Sequence, residues 1–223
     1  MAATSTIAQP ARDPATRGGI SRQAVLDTAA RLFRQRGYAA TSLRDIAGEC
    51  DMKAGSLYYH FPSKDAIVAE VLRVGVESVF DDVRQSVLKL PSDASASTLI
   101  GTAVEAHLKS MLALQDYTSA NLRIFAHVPK AIRGEHLHLR DAYERFWASL
   151  FARCSKSGAF DVERDLHLAR FFLIGAMNGS LEWFDPARTP IETVASELTN
   201  MLLFGLCRRT RADPPRLRTR TRK

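Results

Sequence analysis

An all-α fold follows from three features of the sequence. Apolar residues recur at helical spacing along most of its length, Ser and Thr caps stand at regular breaks, and no alternating run is long enough for a strand. Residues 1–19, rich in Ala, Thr, Pro and Gly without periodicity, are expected to be a disordered arm. Ser21 then caps a first helix, with Ile20 stapled to Val25; Val25, Ala29, Leu32 and Phe33 make its stripe and Gly37 ends it. A short second helix starts at Thr41 or Ser42, where Ser42 and Asp45 fit a capping box, and buries Leu43, Ile46 and Ala47. Cys50, Asp51 and Met52 turn the chain into a third helix, Lys53 to about His60, which Phe61 and Pro62 end. Ser63 caps a long fourth helix whose stripe runs Ile67, Val71, Val74, Phe80, Val83 and Val87 before Pro91.

Beyond the loop "PSDASAS", four helices are expected at about 98–115, 118–128, 130–156 and 163–184. The last helix opens with "TPIE", in which Thr189 is the N-cap, Pro190 the first helical residue and Glu192 the reciprocal capping acid. Its stripe is Ile191, Val194, Leu198, Leu202 and Leu206, and the tail after it is too basic and proline-broken to fold.

The 223 residues suffice for two modest domains without staples. The three cysteines, Cys50, Cys154 and Cys207, are scattered and odd in number, so neither a disulfide framework nor a zinc site is indicated and a reducing cytoplasm is expected. The N-terminus lacks the apolar core of a secretory signal, and no uncharged apolar run approaches the ~20 residues of a bilayer span, so no membrane partner is expected. Net charge is +7 and unevenly spread: +3 over residues 1–65, −3 over 66–207 and +7 over 208–223. A polyanion would meet the two ends, not the middle.

Three short helices with a tight turn between the second and third have the layout of a helix-turn-helix, whose last helix enters the major groove. In "MKAGSLYYHFPSKDAI", the small residues Ala54, Gly55 and Ser56 let the third helix approach a duplex closely. Tyr58, Tyr59 and His60 can donate to phosphates or pack on sugars, Lys64 and the start of the fourth helix meet the next phosphate, and Lys53 can reach a base edge. The alternative, paired tyrosines as half-buried packing, would leave Tyr59 mostly in the core.

The stretch "TSLRDIAGECDMKAGSLYYHFPSKDAIVAEVL", preceded by "AARLFRQRGY", resembles the DNA-binding domain of the tetracycline-repressor (TetR) family of bacterial transcription regulators, over about residues 20–75. Two departures stand out. Asp51 occupies a turn position that is usually glycine, and Ala54 a position that is often polar or basic. The resemblance implies phosphate contacts from Thr41, Ser42 and Arg44, and a double-stranded operator bound by a homodimer. It also implies division into a DNA-binding domain at 20–65 and an effector-binding and dimerisation domain at 66–207, ahead of the basic tail at 208–223 that the composition gives. Dimer contacts are expected from the small strip Gly175, Ala176, Gly179 and Ser180 with Leu198 and Leu202. The effector pocket is expected among Met111, Phe125, Phe146, Trp147, Phe172, Met177 and Trp183. "NLRIFAHVP", "AYERFW" and "LEWFDP" look similar to regulators of fatty-acid and steroid breakdown that respond to acyl-CoA thioesters; Arg123, Arg133 and Arg140 would be phosphate partners.

Six histidines raise a metal site, but His136 and His138 point to different sides of a helix and His107, His127 and His167 lack ligand spacing, so neither metal nor cofactor is expected. Two other readings compete with a repressor: a helical acyl-CoA- or glutathione-handling enzyme, and a sequence-independent DNA-compacting protein. The enzyme lacks a phosphate-cradling glycine loop, GxSxG or HExxH.

Overall fold

Local capping chemistry sets most helix starts. In a computed structural model that describes residues 21–160 and 165–206, Ser21, Ser63 and Ser95 each accept the backbone N–H three residues on, at 3.0–3.1 Å. Ser42 and Asp45 close a full capping box. The helices are α1 (Arg22–Arg36), α2 (Leu43–Glu49), α3 (Ala54–Leu57), α4 (Lys64–Leu88), α5 (Ala96–Ala113), α6 (Gln115–Ile124), α7 (Lys130–Lys156), α8 (Leu166–Trp183) and α9 (Ile191–Leu206). No strand occurs among the described residues. The N-terminal arm, Ile20, Glu163, Cys207 and the basic tail lie outside them.

Three boundaries differ from expectation. The break between α5 and α6 falls at Leu114, not before Thr118; the buried Thr118 hydroxyl instead donates to Met111 O at 2.9 Å, a carbonyl near the end of α5, and lies 3.2 Å from Leu114 O, which already accepts the amides of Tyr117 and Thr118. At α9 the amides of Thr193 and Val194 both reach Pro190 O, so Pro190 precedes the helix instead of opening it. Glu192 makes no capping box there; it bridges to Lys109 of α5 at 2.8 Å. The third helix is also shorter than expected: α geometry covers Ala54–Leu57, and the amides of Tyr59 and His60 bond three residues back, to Ser56 O and Leu57 O. The segment is wound more tightly at Tyr59 and His60, and Phe61 N then returns to Leu57 O, four residues back, ahead of Pro62.

The buried residues form two clusters. The first joins α1, α2 and α3 to Ile67, Val68, Val71 and Leu72 of α4 and to Tyr117, Ala120 and Ile124 of α6. The second joins Val79, Val83 and Val87 of the same α4 to α5, α7, α8 and α9. One uninterrupted 25-residue helix is therefore built into both cores. Packing does not divide at residue 65, because α6 completes the core of the helix-turn-helix. Between the two clusters stands Gly75, buried where α4 crosses α6; a Cβ there would meet Tyr117 O at 2.9 Å.

Candidate functional site

The turn between α2 and α3 is made by Asp51, whose φ of 51° is left-handed; Met52 N closes it on Ala47 O at 2.9 Å. Leu57 and Phe61, both buried, pin the reading segment to the core. That leaves Tyr58 57% and Tyr59 91% exposed, so the half-buried alternative for Tyr59 does not hold. Gly55 faces open space, with nothing near its missing Cβ. Lys53 and Arg44 are exposed, and neither makes an ion pair among the described residues. Arg44, Lys53, Gly55, Tyr58 and Tyr59 are all exposed, Ser56 and His60 partly so, and residues 53–60 carry no carboxylate.

Four expected contacts sit otherwise. Thr41 is 1% exposed and its hydroxyl donates to Gly37 O at 2.8 Å, so it locks the α1–α2 turn. The Ser42 hydroxyl is committed to Asp45, at 2.6 Å. Ala54 packs inward against the first core cluster. Lys64 lays its ammonium 3.9 Å above the Tyr38 ring, where desolvation lowers its pKa; Tyr38 in turn donates to Asp65 at 2.7 Å, and burial with that bond pushes the phenol up to about 12. Lys64 is thus a positioned charge rather than a free arm. Neither Tyr38 nor Arg22, which stacks on Phe61 at 4.4 Å and pairs with Glu70, stood out in the sequence.

A second feature lies behind this surface. A cavity of about 90 Å³ opens between α4, α5, α6, α7 and α8, lined by Gly75, Val76, Val79, His107, Met111, Thr118, Asn121, Leu122, Arg140, Tyr143, Glu144, Ile174, Asn178 and Leu181. Its apolar wall carries a few fixed polar groups. Tyr143 Oη lies 2.7 Å from His107 Nδ1, and Asn121 donates to Leu72 O at 3.0 Å while facing His136 Nε2 at 3.2 Å. Burial holds both histidines neutral, with pKa values lowered to about 4; for His136 the charge of Arg140 adds to the effect. The Asn178 side chain approaches His107 and opposes the burial shift, although His107 Nε2 makes no hydrogen bond of ordinary geometry.

Of the seven pocket residues expected from the sequence, Met111 alone lines this cavity. Trp147 and Met177 are fully buried core, Phe146 packs on Phe80, and Phe125 lies against His136 and Arg140. Phe172 and Trp183 face outward, at 71% and 60% exposure. The residues missed, His107, Asn121 and Tyr143, had one visible signal: each is a polar side chain interrupting the apolar stripe of its helix.

Phe172 joins another surface. Leu168, Phe171, Phe172, Gly175 and Ala176 of α8 are exposed, as are Met201 and Phe204 of α9. Between the two helices runs an apolar groove lined by Leu168, Phe172, Ala176, Leu198, Met201 and Leu202. Gly175 and Gly179 meet no atom at the position of a Cβ. Ser180 does not share this face: it is buried, with its hydroxyl on Met177 O at 2.7 Å.

Comparison with known proteins agrees with this geometry. Residues 25–71 match the model of bacterial regulatory proteins of the tetR family, and residues 94–206 that of a tetracyclin repressor-like C-terminal domain. The chain is 32% identical to the HTH-type transcriptional repressor KstR2 of Rhodococcus jostii over 199 residues, which is 88% of this chain and 96% of that protein. Among solved structures, the TetR family regulator PfmR from Thermus thermophilus superposes with a TM-score of 0.73 at 26% identity, over 85% of this chain and 99% of that one. AibR in complex with isovaleryl coenzyme A and operator DNA shares the fold, with a TM-score of 0.68 at 24% identity over 82% of this chain and 97% of that one. With a reading segment held out on a buried Leu57–Phe61 anchor and both halves of the family matched, the chain belongs to the TetR family of DNA-binding bacterial transcription regulators.

Proposed function

We propose that the chain is a repressor that binds a palindromic operator as a homodimer and is released when a small effector enters the cavity. The observation that carries this reading is α4, a single rod whose first half is core to the reading head and whose second half, with Gly75, Val76 and Val79, walls the cavity. Anything that moves the wall moves the head. A second transmission line runs through α6: Thr118, Asn121 and Leu122 face the cavity, while Tyr117 donates to Asp27 of α1 at 2.6 Å and Arg34 of α1 pairs with Asp116 at 2.9 Å.

Two half-sites about 34–36 Å apart require two heads at a fixed separation. The exposed apolar face of α8 and α9 supports a twofold contact between copies, because surface this apolar is seldom left to water. As an effector we propose an acyl-CoA thioester or a similar large apolar molecule. Such a ligand exceeds the present cavity, since drug-sized sites run to about 300–1,000 Å³. It would act as a wedge, favouring the conformation in which α4 has shifted. Reversing operator occupancy from 99:1 to 1:99 needs about 5.5 kcal/mol of preference for that conformation.

The test is a footprint on the DNA upstream of the chain's own gene, with sedimentation of the same sample. The expected result is a dimer that protects one short inverted repeat at physiological salt and is displaced by decanoyl-coenzyme A. Uniform coating of any duplex would point to a DNA-compacting protein instead, and a lone subunit in solution would refute the twofold reading.

A further inference from the structure

The cavity wall contains an arginine that makes no ion pair among the described residues. Arg140 stands in its wall with the guanidinium 4.4 Å over the Phe125 ring. No carboxylate among the described residues comes within ion-pair distance of it. Glu144, one turn along α7 and also in the wall, is engaged by Arg170 of α8 at 3.1 Å. Arg140 is therefore left without a salt bridge: Glu144 is held by Arg170, the exposed Asp141 next to it on α7 acts only through longer-range attraction, and the neutral His107 and His136 add no charge. Desolvation outweighs the attraction of Glu144 and Asp141 and lowers the Arg140 pKa, so the group has lost more in hydration than these carboxylates return. An arginine kept only for structure would be expected to pair, because a guanidinium withdrawn from water unpaired is costly.

The remaining wall is apolar, from Val76, Val79, Met111, Leu122, Ile174 and Leu181, apart from a few uncharged polar groups that include His107 and Asn178. One charged point, a few neutral polar groups and an apolar lining describe an amphipathic anion. Resting on the effector reading above, we propose that Arg140 anchors a carboxylate or phosphate group of the effector, whose apolar body lies along Val79, Met111, Ile174 and Leu181. Planar guanidinium suits either anion in bidentate fashion, so the two sources share one chemistry.

The experiment is thermal unfolding of the full chain with decanoate, decanoyl-coenzyme A or decanol, in the wild type, Arg140→Lys and Arg140→Met. In the wild type at least one anion is expected to raise the midpoint at a concentration about tenfold lower than decanol needs, the effect of an added charge-assisted pair. Arg140→Lys retains part of that preference, and Arg140→Met loses it. A shift with decanoate assigns the anchor to a carboxylate; a shift with decanoyl-coenzyme A alone assigns it to phosphate. Equal responses to all three probes in the wild type, no response to any, or an intact anion preference in Arg140→Met overturns the proposal. Operator binding followed in parallel separates the two readings: an anion-selective shift without operator release refutes effector-driven release and leaves the anchor standing.

Discussion

Gly75→Ala tests the coupling between cavity and reading head most directly. The added methyl would lie 2.9 Å from Tyr117 O and 3.2 Å from Tyr117 C, with Asn121 Cβ at 3.6 Å. Backbone cannot swing aside as a flexible side chain does, so α4 and α6 must part by roughly 0.5 Å to restore ordinary van der Waals contact. Overpacking of this kind costs about 1–3 kcal/mol. Against it, alanine in a helix interior gains about 1 kcal/mol over glycine. The control is Gly134→Ala on α7, where nothing lies within 4 Å and only the gain applies. In urea unfolding at fixed protein concentration, Gly75→Ala is therefore expected to fall about 1–3 kcal/mol below Gly134→Ala. Because α6 is tied to α1 through Tyr117 and Asp27, the same displacement tilts the head, and fluorescence anisotropy on an operator duplex should show weakened binding. Stabilisation of Gly75→Ala equal to that of Gly134→Ala, with unchanged operator affinity, refutes the reasoning.

Three further outcomes follow from the reading surface and the buried histidines. Thr41→Val and Tyr59→Ala should separate stability from recognition. The first loses about 1 kcal/mol of stability with its buried bond to Gly37 O and leaves the operator affinity of folded protein intact; the second changes stability by less than about 0.5 kcal/mol and weakens operator binding about tenfold or more. Equal losses of both properties in either variant would contradict the assignment. Asp51→Gly removes left-handed strain at φ 51° and should raise the urea midpoint by an amount equivalent to about 1 kcal/mol; a lower midpoint would show that the Asp51 side chain stabilises the turn. His107 and His136 have folded pKa values depressed from 6.5 to about 4, so an unfolded chain binds the proton first as pH falls. Stability is thus full above pH 6.5 and declines toward pH 4, by up to about 3 kcal/mol for each histidine. Urea midpoints that stay level from pH 7 to pH 5 would show that these rings are not buried neutral.

The elements that the sequence disclosed are those whose causes are local. Ser21, Ser42 with Asp45, and Ser63 cap helices through bonds three residues long, and the turn at Asp51 depends on one residue's φ. Thr41 shows where locality ends: its hydroxyl suits a cap, a phosphate or a buried carbonyl equally, and only the packing of α1 against α2 selects Gly37 O. The cavity is illegible in the sequence for the same reason. Bulk marks Trp147, Phe172 and Trp183 as apolar but does not say which face of its helix each takes, and a helix apolar on every side gives periodicity nothing to separate. On α8, Leu173 and Met177 are buried while the residues directly before each, Phe172 and Ala176, are exposed. That all-round apolarity is itself informative in a helix with one covered face, since the second face must gain a partner or meet water. In the sequence Gly75, inside an apolar stripe, reads only as a weak helix position. Its place between Leu72, in one core, and Val79, in the other, gives it a different meaning: α6 reaches α4 where the side chain is missing, so the cavity wall and the reading head share a contact that no larger residue would permit.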